Sequence, residues 1–560
     1  MKKIFFALLL IAIVVIAVSC GDKKPEYEYT ESADGVTITK YNGSLESVRV
    51  PDTINGKAVI CIGTEAFAEN TSIETLILPQ SVQAIAPGAF FGCTSLVECD
   101  LGNVEVIEDY AFYGCESLTS VTSRNVISIE ENAFGFCRKL ESFDLSSVTS
   151  VGKNAFHNCN SLKEAIMPAL RELSDGSFYF CSSLEKVDLG EAVKEIPRAS
   201  FYSCVMLKEV LLPASVKTVC DGAFDYCDRL ETVKMPGVET IEKYAFSLCP
   251  TLSTVVAPVC GTVGEGAFMY DVSLESVDLP SAVSLGDYAF ANCTMLKSLS
   301  LGDSLESAGR YSFAYCTNMT DFDIGKSVVS LGTGAFAFDV SLERITSEST
   351  VYTVADGVLY ENGNTLHTYP AGLAAESFAV PAGVTAIAET AFANASLKTV
   401  AASGVRTVGK NAFCRCEKLE TVAVPDAEEI GDGAFSYCFC LKNIEVGGSY
   451  SFTENILVKD GTLICFAAGG DIAEYIVPNR ITAIAYRAFA GCRGLTFVRV
   501  NNSCGTIGEE AFCGCTSLKN AYVGSAIVIG KDAFADCDQL ILHGGIEAET
   551  YARENDIDFS

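Results

Sequence analysis

Leu207-Lys208-Glu209-Val210-Leu211-Leu212-Pro213 is the opening half of a unit that recurs along most of the chain. The unit closes on Val219, Ala223-Phe224 and Cys227, and Leu230 then opens the next copy. Working outward, an Ala-Phe or Ser-Phe dipeptide marks each copy. Its Phe falls at Phe67, Phe90, Phe112, Phe134, Phe156, Phe178, Phe201, Phe224, Phe246, Phe268, Phe290, Phe313 and Phe336, then at Phe392, Phe413 and Phe435, and finally at Phe489, Phe512 and Phe534. Within each block the stride is 21 to 23 residues. A fixed period of this size marks a solenoid, because each unit can bury its apolar face only against its neighbours.

The alternation in Leu-x-x-apolar-x-Leu fits a short strand with one face inward, and a second extended piece leads into Ile-Gly-x-x-Ala-Phe. Gly or Pro after the first strand, and Gly near the Phe, supply the bends. The sequence therefore predicts a mainly β solenoid, a curved rod of about nineteen repeats. Residues 61–348, 381–447 and 478–543 form three repeat blocks. Between them, 349–380 and 448–477 read as hairpin insertions turning at Asn362-Gly363 and Asp460-Gly461, which project from or kink the solenoid. Residues 31–60 and 544–560 read as caps that cover the end coils, the latter through a short helix over Ile546–Asn555.

The first residues have the layout of an export signal over 1–19: Lys2 and Lys3, an apolar run from Ile4 to Val18, then Ser19-Cys20. The run is short for a transmembrane span, which needs about 20 residues; an uncleaved anchor helix is the competing reading. Ala17-Val18-Ser19-Cys20 resembles a bacterial lipobox, which implies lipidation of Cys20 and a polar tether over 20–30. A net charge of −32 argues against nucleic acid and against electrostatic attraction to anionic lipid, so membrane attachment is expected through the lipid alone.

Fifteen of the 25 Cys stand three residues after the repeat Phe, from Cys93 to Cys537. A disulfide ladder and metal binding are possible readings of such a column. Buried thiols suit it better. Rungs about 4.8 Å apart carry parallel Cβ vectors, whereas a disulfide wants convergent ones, and one Cys per repeat does not cluster as zinc ligands do. Asn70, Asp271 and Asp339 share the column, which points to hydrogen bonding of loop backbone.

The unit Leu-x-x-Val-x-Leu-Pro-x-x-Val-x-x-Ile-Gly-x-x-Ala-Phe-x-x-Cys-x-x-Leu resembles the BspA-type leucine-rich repeat. Gly524–Ile529 with Ala533–Cys537 is one plain copy, and Cys260–Phe268 is another. The resemblance implies a surface lipoprotein of host-associated bacteria, exported to the envelope and held at the outer membrane. It further implies adhesion to host matrix protein or to other cells, and no enzymatic chemistry and no cofactor.

His157, His367 and His543 are the only histidines and lie far apart in sequence; each reads as a solvated surface residue. No nucleophile, base or metal set converges. A binding surface is sought instead on the outward strand positions: Asp100, Asp144, Asp188, Asp278 and Asp323, with Leu211, Val256 and Tyr522 in the same column. Such a strip suits a protein ligand, a basic one included, or equally an ordinary solvated strand face. A scaffold for envelope assembly, binding a partner from the same cell, is the alternative to an adhesin.

Overall fold

The computed structural model describes residues 25–470, 472–525 and 527–560. The lipobox and the residues before it lie outside that range. The chain is a β-solenoid of about 23 turns, and about 2% of it is helical. It divides into two units, Met1–Pro280 and Ser281–Ser560.

In the first unit each repeat contributes two short strands to two parallel ladders. Thr75–Ile77, Glu98–Asp100 and Ser120–Thr122 stack in register, Leu76 against Cys99 against Val121, with these middle residues buried. The second ladder runs through Ala84–Ile85, Val106–Ile107 and Ser128–Ile129. Between the ladders sit the repeat Phe rings, all buried. Neighbouring rings lie 5.0 Å apart at Phe67 and Phe90, and 5.5 Å apart at Phe246 and Phe268. This separation follows from the strand spacing, and each ring adds roughly 1.5–3 kcal/mol of burial.

Each repeat Phe is flanked, two residues away on either side, by left-handed backbone. Gly88 (φ 63) and Gly92 (φ 68) flank Phe90; Asn154 (φ 53) and Asn158 (φ 58) flank Phe156. Left-handed backbone costs a residue with a Cβ about 1–2 kcal/mol, and only glycine, Asn or Asp take it cheaply. The expected glycine bends are therefore obligatory in conformation but not in residue type. Tyr244 (φ 53) and Leu248 (φ 56) do the same around Phe246.

At the start of this unit Tyr27–Glu31 pairs antiparallel with Val36–Tyr41, which then runs parallel to Lys57–Ile62. Residues 20–30 are thus not wholly a polar tether, since Tyr27 onward is already a strand of the cap. Tyr27 carries a hydrophobic ring that packs 5.3 Å from Tyr41, and Tyr41 stacks on Phe67 at 4.9 Å.

The second unit repeats the same coil, and its insertions differ from expectation. Each is a three-stranded antiparallel meander: Tyr352–Ala355, Val358–Glu361 and Thr365–Thr368, then Tyr450–Thr453, Ile456–Lys459 and Thr462–Phe466. The turns fall at Asn362-Gly363 and Asp460-Gly461, both with positive φ throughout, as tight hairpins require. Neither insertion projects as a free hairpin, because its last strand heads a new parallel ladder, Leu366 against Ile387 and Leu463 against Ile484. Tyr369 and Phe466 take the repeat-Phe place, 5.2 Å from Phe392 and 4.8 Å from Phe489. Turns headed by Tyr41, Tyr369 and Phe466 lack the Ala-Phe signature, which is why nineteen is too low a count.

The unit ends on the helix Ile546–Glu554, which buries Ala548, Tyr551 and Ala552 against the last coil, and on Asp558–Phe559 beside Ile541–His543.

Candidate binding surface

The outward strand positions form true columns. In the first unit Ile77, Asp100 and Thr122 are register partners, as are Ile166 and Asp188, and as are Leu211, Lys234, Val256 and Asp278. In the second unit Asp323 faces Thr346, and Ile476, Arg499, Tyr522 and His543 follow one another. Asp144 lies just past its strand, Ser142–Phe143, beside a groove of about 430 Å3 that it shares with Phe143, Lys163 and Ile166.

Several of these carboxylates already have work within the fold. Asp100, Asp144 and Asp188 accept the N–H of Gly102, Ser146 and Gly190, each at 3.0 Å, and so close the turn after the strand. The Ser146 hydroxyl and amide together hold the Asp144 carboxyl below its usual range. Asp323 accepts from the Thr346 hydroxyl at 2.6 Å. Among the apolar members Leu211 is 59% exposed and Ile476 64%. Tyr522 is sandwiched, with the His543 ring 4.1 Å away and nearly parallel, and the Arg499 guanidinium 5.1 Å from its centroid.

The BspA type leucine rich repeat region matches this chain over residues 40–163, 128–253, 261–375, 371–459 and 463–542. The chain belongs to the BspA-type leucine-rich repeat family. No curated protein matches it. Among solved structures, a leucine-rich repeat protein from Bacteroides ovatus is 20% identical, over 76% of this chain and 99% of that one, with a TM-score of 0.46. A leucine rich cell surface protein from Faecalibacterium prausnitzii is 22% identical, over 96% and 94%, with a TM-score of 0.23. The T. pallidum leucine rich repeat protein is 26% identical, over 41% and 90%, with a TM-score of 0.25.

In this BspA-type coil the column cysteines are thiols bonded to loop backbone. Cys93 Sγ donates to the Phe67 carbonyl at 3.1 Å, Cys115 to Phe90 at 3.2 Å, and in the second unit Cys416 to Phe392 at 2.9 Å. Burial pushes the Cys159 and Cys316 thiols far up, which keeps them protonated and unreactive. Asp271 and Asp339 replace Cys in the column and bond to the preceding coil as it does, but with the opposite role. Each accepts an amide instead, that of Cys249 at 2.8 Å and that of Cys316 at 2.7 Å.

The histidines need one correction. His367 is not solvated but 3% exposed, wedged edge-to-face against Tyr352, because its strand is the last of the meander and lies between Val358–Glu361 and Ala386–Ile387. His157 is half-buried on Phe136, and His543 stacks on Tyr522 as above. Among the described residues no group of three or more His, Cys, Asp or Glu could hold a metal ion, and no helix is long and apolar enough to cross a membrane.

A second surface escaped the sequence reading. The loops after the repeat Phe carry their own file of rings, with Phe91 stacked on Tyr113 at 5.4 Å and Tyr179 on Tyr202 at 4.9 Å. The signal that could have found it is an aromatic one or two residues after the repeat Phe in most first-unit repeats.

Proposed function

We propose that this chain is a non-catalytic, exported lipoprotein, lipidated at Cys20, that binds protein ligands along its repeat surface. Its role is adhesion to host matrix protein or to neighbouring cells from the outer membrane. The observation that carries the reading is the in-register outward placement of unlike side chains on successive strands, such as exposed Leu211 and Lys234 and half-buried Val256 and Asp278. Such a column offers a long ligand many small contacts whose order is specific, and parallel solenoid strands present it without a loop having to be ordered first. The acidic excess favours basic protein partners and disfavours nucleic acid. The signal layout of residues 1–19, the lipobox and the family resemblance support export and anchoring.

Protease shaving of intact cells tests the placement, and a pull-down with residues 25–560 against host matrix proteins and against envelope extract tests the partner. Cleavage at the surface with capture of matrix protein is the expected result. A chain that stays protected and captures only envelope protein is a scaffold binding a partner from the same cell.

A further inference from the structure

The loop file of the first unit poses a question that folding does not answer. Two residues after the repeat Phe the backbone is left-handed in every described repeat, and Gly92 and Gly114 show the residue that suits it. At the same place stand Phe136 (φ 59), Phe180 (φ 58), Tyr226 (φ 59) and Tyr270 (φ 66). A large ring is among the worst choices for that conformation. Burial repays the ring only in part: Phe180 and Tyr226 lean on Tyr202 at 5.6 and 5.4 Å, yet Phe180, Tyr226 and Tyr270 remain 38%, 41% and 44% exposed. Strained residues that the core does not need are candidates for function.

The chain itself shows what such a ring accepts. The Arg138 guanidinium lies 5.2 Å from the centroid of Phe136. In the second unit, the equivalent Tyr437 lies under Arg415 at 5.3 Å, and nearby Phe439 under Arg493 at 3.9 Å. Among the described residues no cation of the chain covers Phe180, Tyr226 or Tyr270. At the head of the file, Phe91 and Tyr110 line a groove of about 600 Å3 with Glu65, Glu69 and Asp109, against a single cation, Lys40. The whole chain carries −32. Exposed rings on an acidic protein, beside carboxylates at the head of the file, complement guanidinium groups, which stack on rings and donate to carboxylates at once.

We propose that the loop file of the first unit, centred on Phe180, Tyr226 and Tyr270, binds an arginine-rich segment of a partner protein. The proposal rests on the reading of the chain as a protein-binding solenoid, but places this contact on the loops and not on the strand columns. It also accounts for the backbone: the rings persist in an unfavourable conformation because the partner, not the core, uses them.

The test is fluorescence anisotropy of labelled hexaarginine and hexalysine on residues 25–560, at matched ionic strength. The variant F180G/Y226G/Y270G removes three rings while relieving the backbone, so its melting temperature should hold or rise, and misfolding cannot explain a loss. Hexaarginine should bind the parent more tightly than hexalysine and lose about tenfold in the variant, whereas hexalysine should change little. Equal affinity of parent and variant for hexaarginine overturns the proposal. So does loss only in the strand variant L211S/V256S, which would leave the strand-column reading intact. Failure of hexaarginine to bind the parent overturns this inference alone, since matrix-protein capture is scored separately.

Discussion

The Leu331 amide donates to the hydroxyl of Tyr352 at 2.7 Å, at the point where the ladder through Ser307–Ala308 and Ser330–Leu331 stops. The Tyr352 hydroxyl stands where the next strand would have offered a carbonyl. The same device recurs at the second insertion, where the Ile430 amide meets the Tyr450 hydroxyl at 2.8 Å, and at the end of the chain, where the Phe534 amide meets Tyr551 at 3.3 Å. The first two are tyrosines closing a strand edge and the third closes the loop of the last coil, and each pairs a buried donor that would otherwise be left without a partner.

Tyr352→Phe and Tyr450→Phe should therefore each destabilise the chain by about 1–3 kcal/mol, the cost of orphaning a buried amide while the ring packing is kept. Urea denaturation followed by circular dichroism reads the shift in midpoint. An unchanged midpoint for both variants would mean that water reaches these edges and that the meanders are not caps.

The repeat was legible because its signals are local and reiterated: Phe224, Leu230 and Val219 each recur at fixed offsets, and a buried column tolerates few substitutes. The turns at Asn362-Gly363 and Asp460-Gly461 were legible for the same kind of reason, since few dipeptides take two left-handed residues. The partners of those hairpins were not. Tyr352 reads as an ordinary strand residue, and only the fold brings its hydroxyl to Leu331. Tyr369 and Phe466 head new coils without the Ala-Phe mark, so no period betrays them. His367 was misread because its strand is covered on both faces, with Leu366 and Thr368 beside it also buried, and a polar residue there gives no local sign of that. On the candidate surface, the strand columns followed from two-residue alternation, whereas the loop rings needed their φ angles to stand out.

His367 gives the chain an acid-labile joint. Burial drives its imidazole down to about 4, against the opposing pull of the Leu331 carbonyl 3.4 Å from Nε2. The unfolded chain has an ordinary histidine near 6.5. A depressed folded pKa means that the stabilising contribution is whole above about 6.5 and is lost as pH falls towards 4. The His367→Gln variant should weaken the pH dependence of the urea midpoint across that window, while losing some stability at pH 7. An identical pH profile for parent and variant would remove His367 from the account.

Asp271 and Asp339 act with the opposite sign. Burial raises both carboxyls well above their usual range, and their Oδ2 atoms are buried without a partner. A raised folded pKa leaves stability intact below the unfolded value, near 3.9, and erodes it as pH climbs. The column already holds a neutral counterpart in Asn70, whose Oδ1 accepts the Ser72 and Ile73 amides. Asp271→Asn and Asp339→Asn should each stabilise by about 2 kcal/mol at pH 8, with the gain vanishing towards pH 4. Melting temperatures at the two pH values decide it, and a gain independent of pH would show that packing and not ionisation is responsible.

The thiol column makes the last prediction, because its chemistry depends on where it sits. All the described cysteines are free, and Cys440 is the exposed one among them. Cys61 and Cys220 are partly exposed, yet burial raises both thiols, with Cys220 pushed up to about 12, so neither should react quickly. In residues 25–560, a native thiol reagent at pH 8 should label Cys440 first, and the column only after denaturation, because reagent needs both access and thiolate. Within the column the donor matters more than the sulfur. Cys159 donates to the Phe134 carbonyl at 3.2 Å, so Cys159→Ser, which keeps a hydroxyl donor, should cost less than Cys159→Ala. Ala leaves that bond unmade and should lose about 1 kcal/mol more. Most thiols proving oxidised in the natively isolated chain, or Ser and Ala variants of equal stability, would replace the column of backbone donors with a disulfide framework or with plain packing.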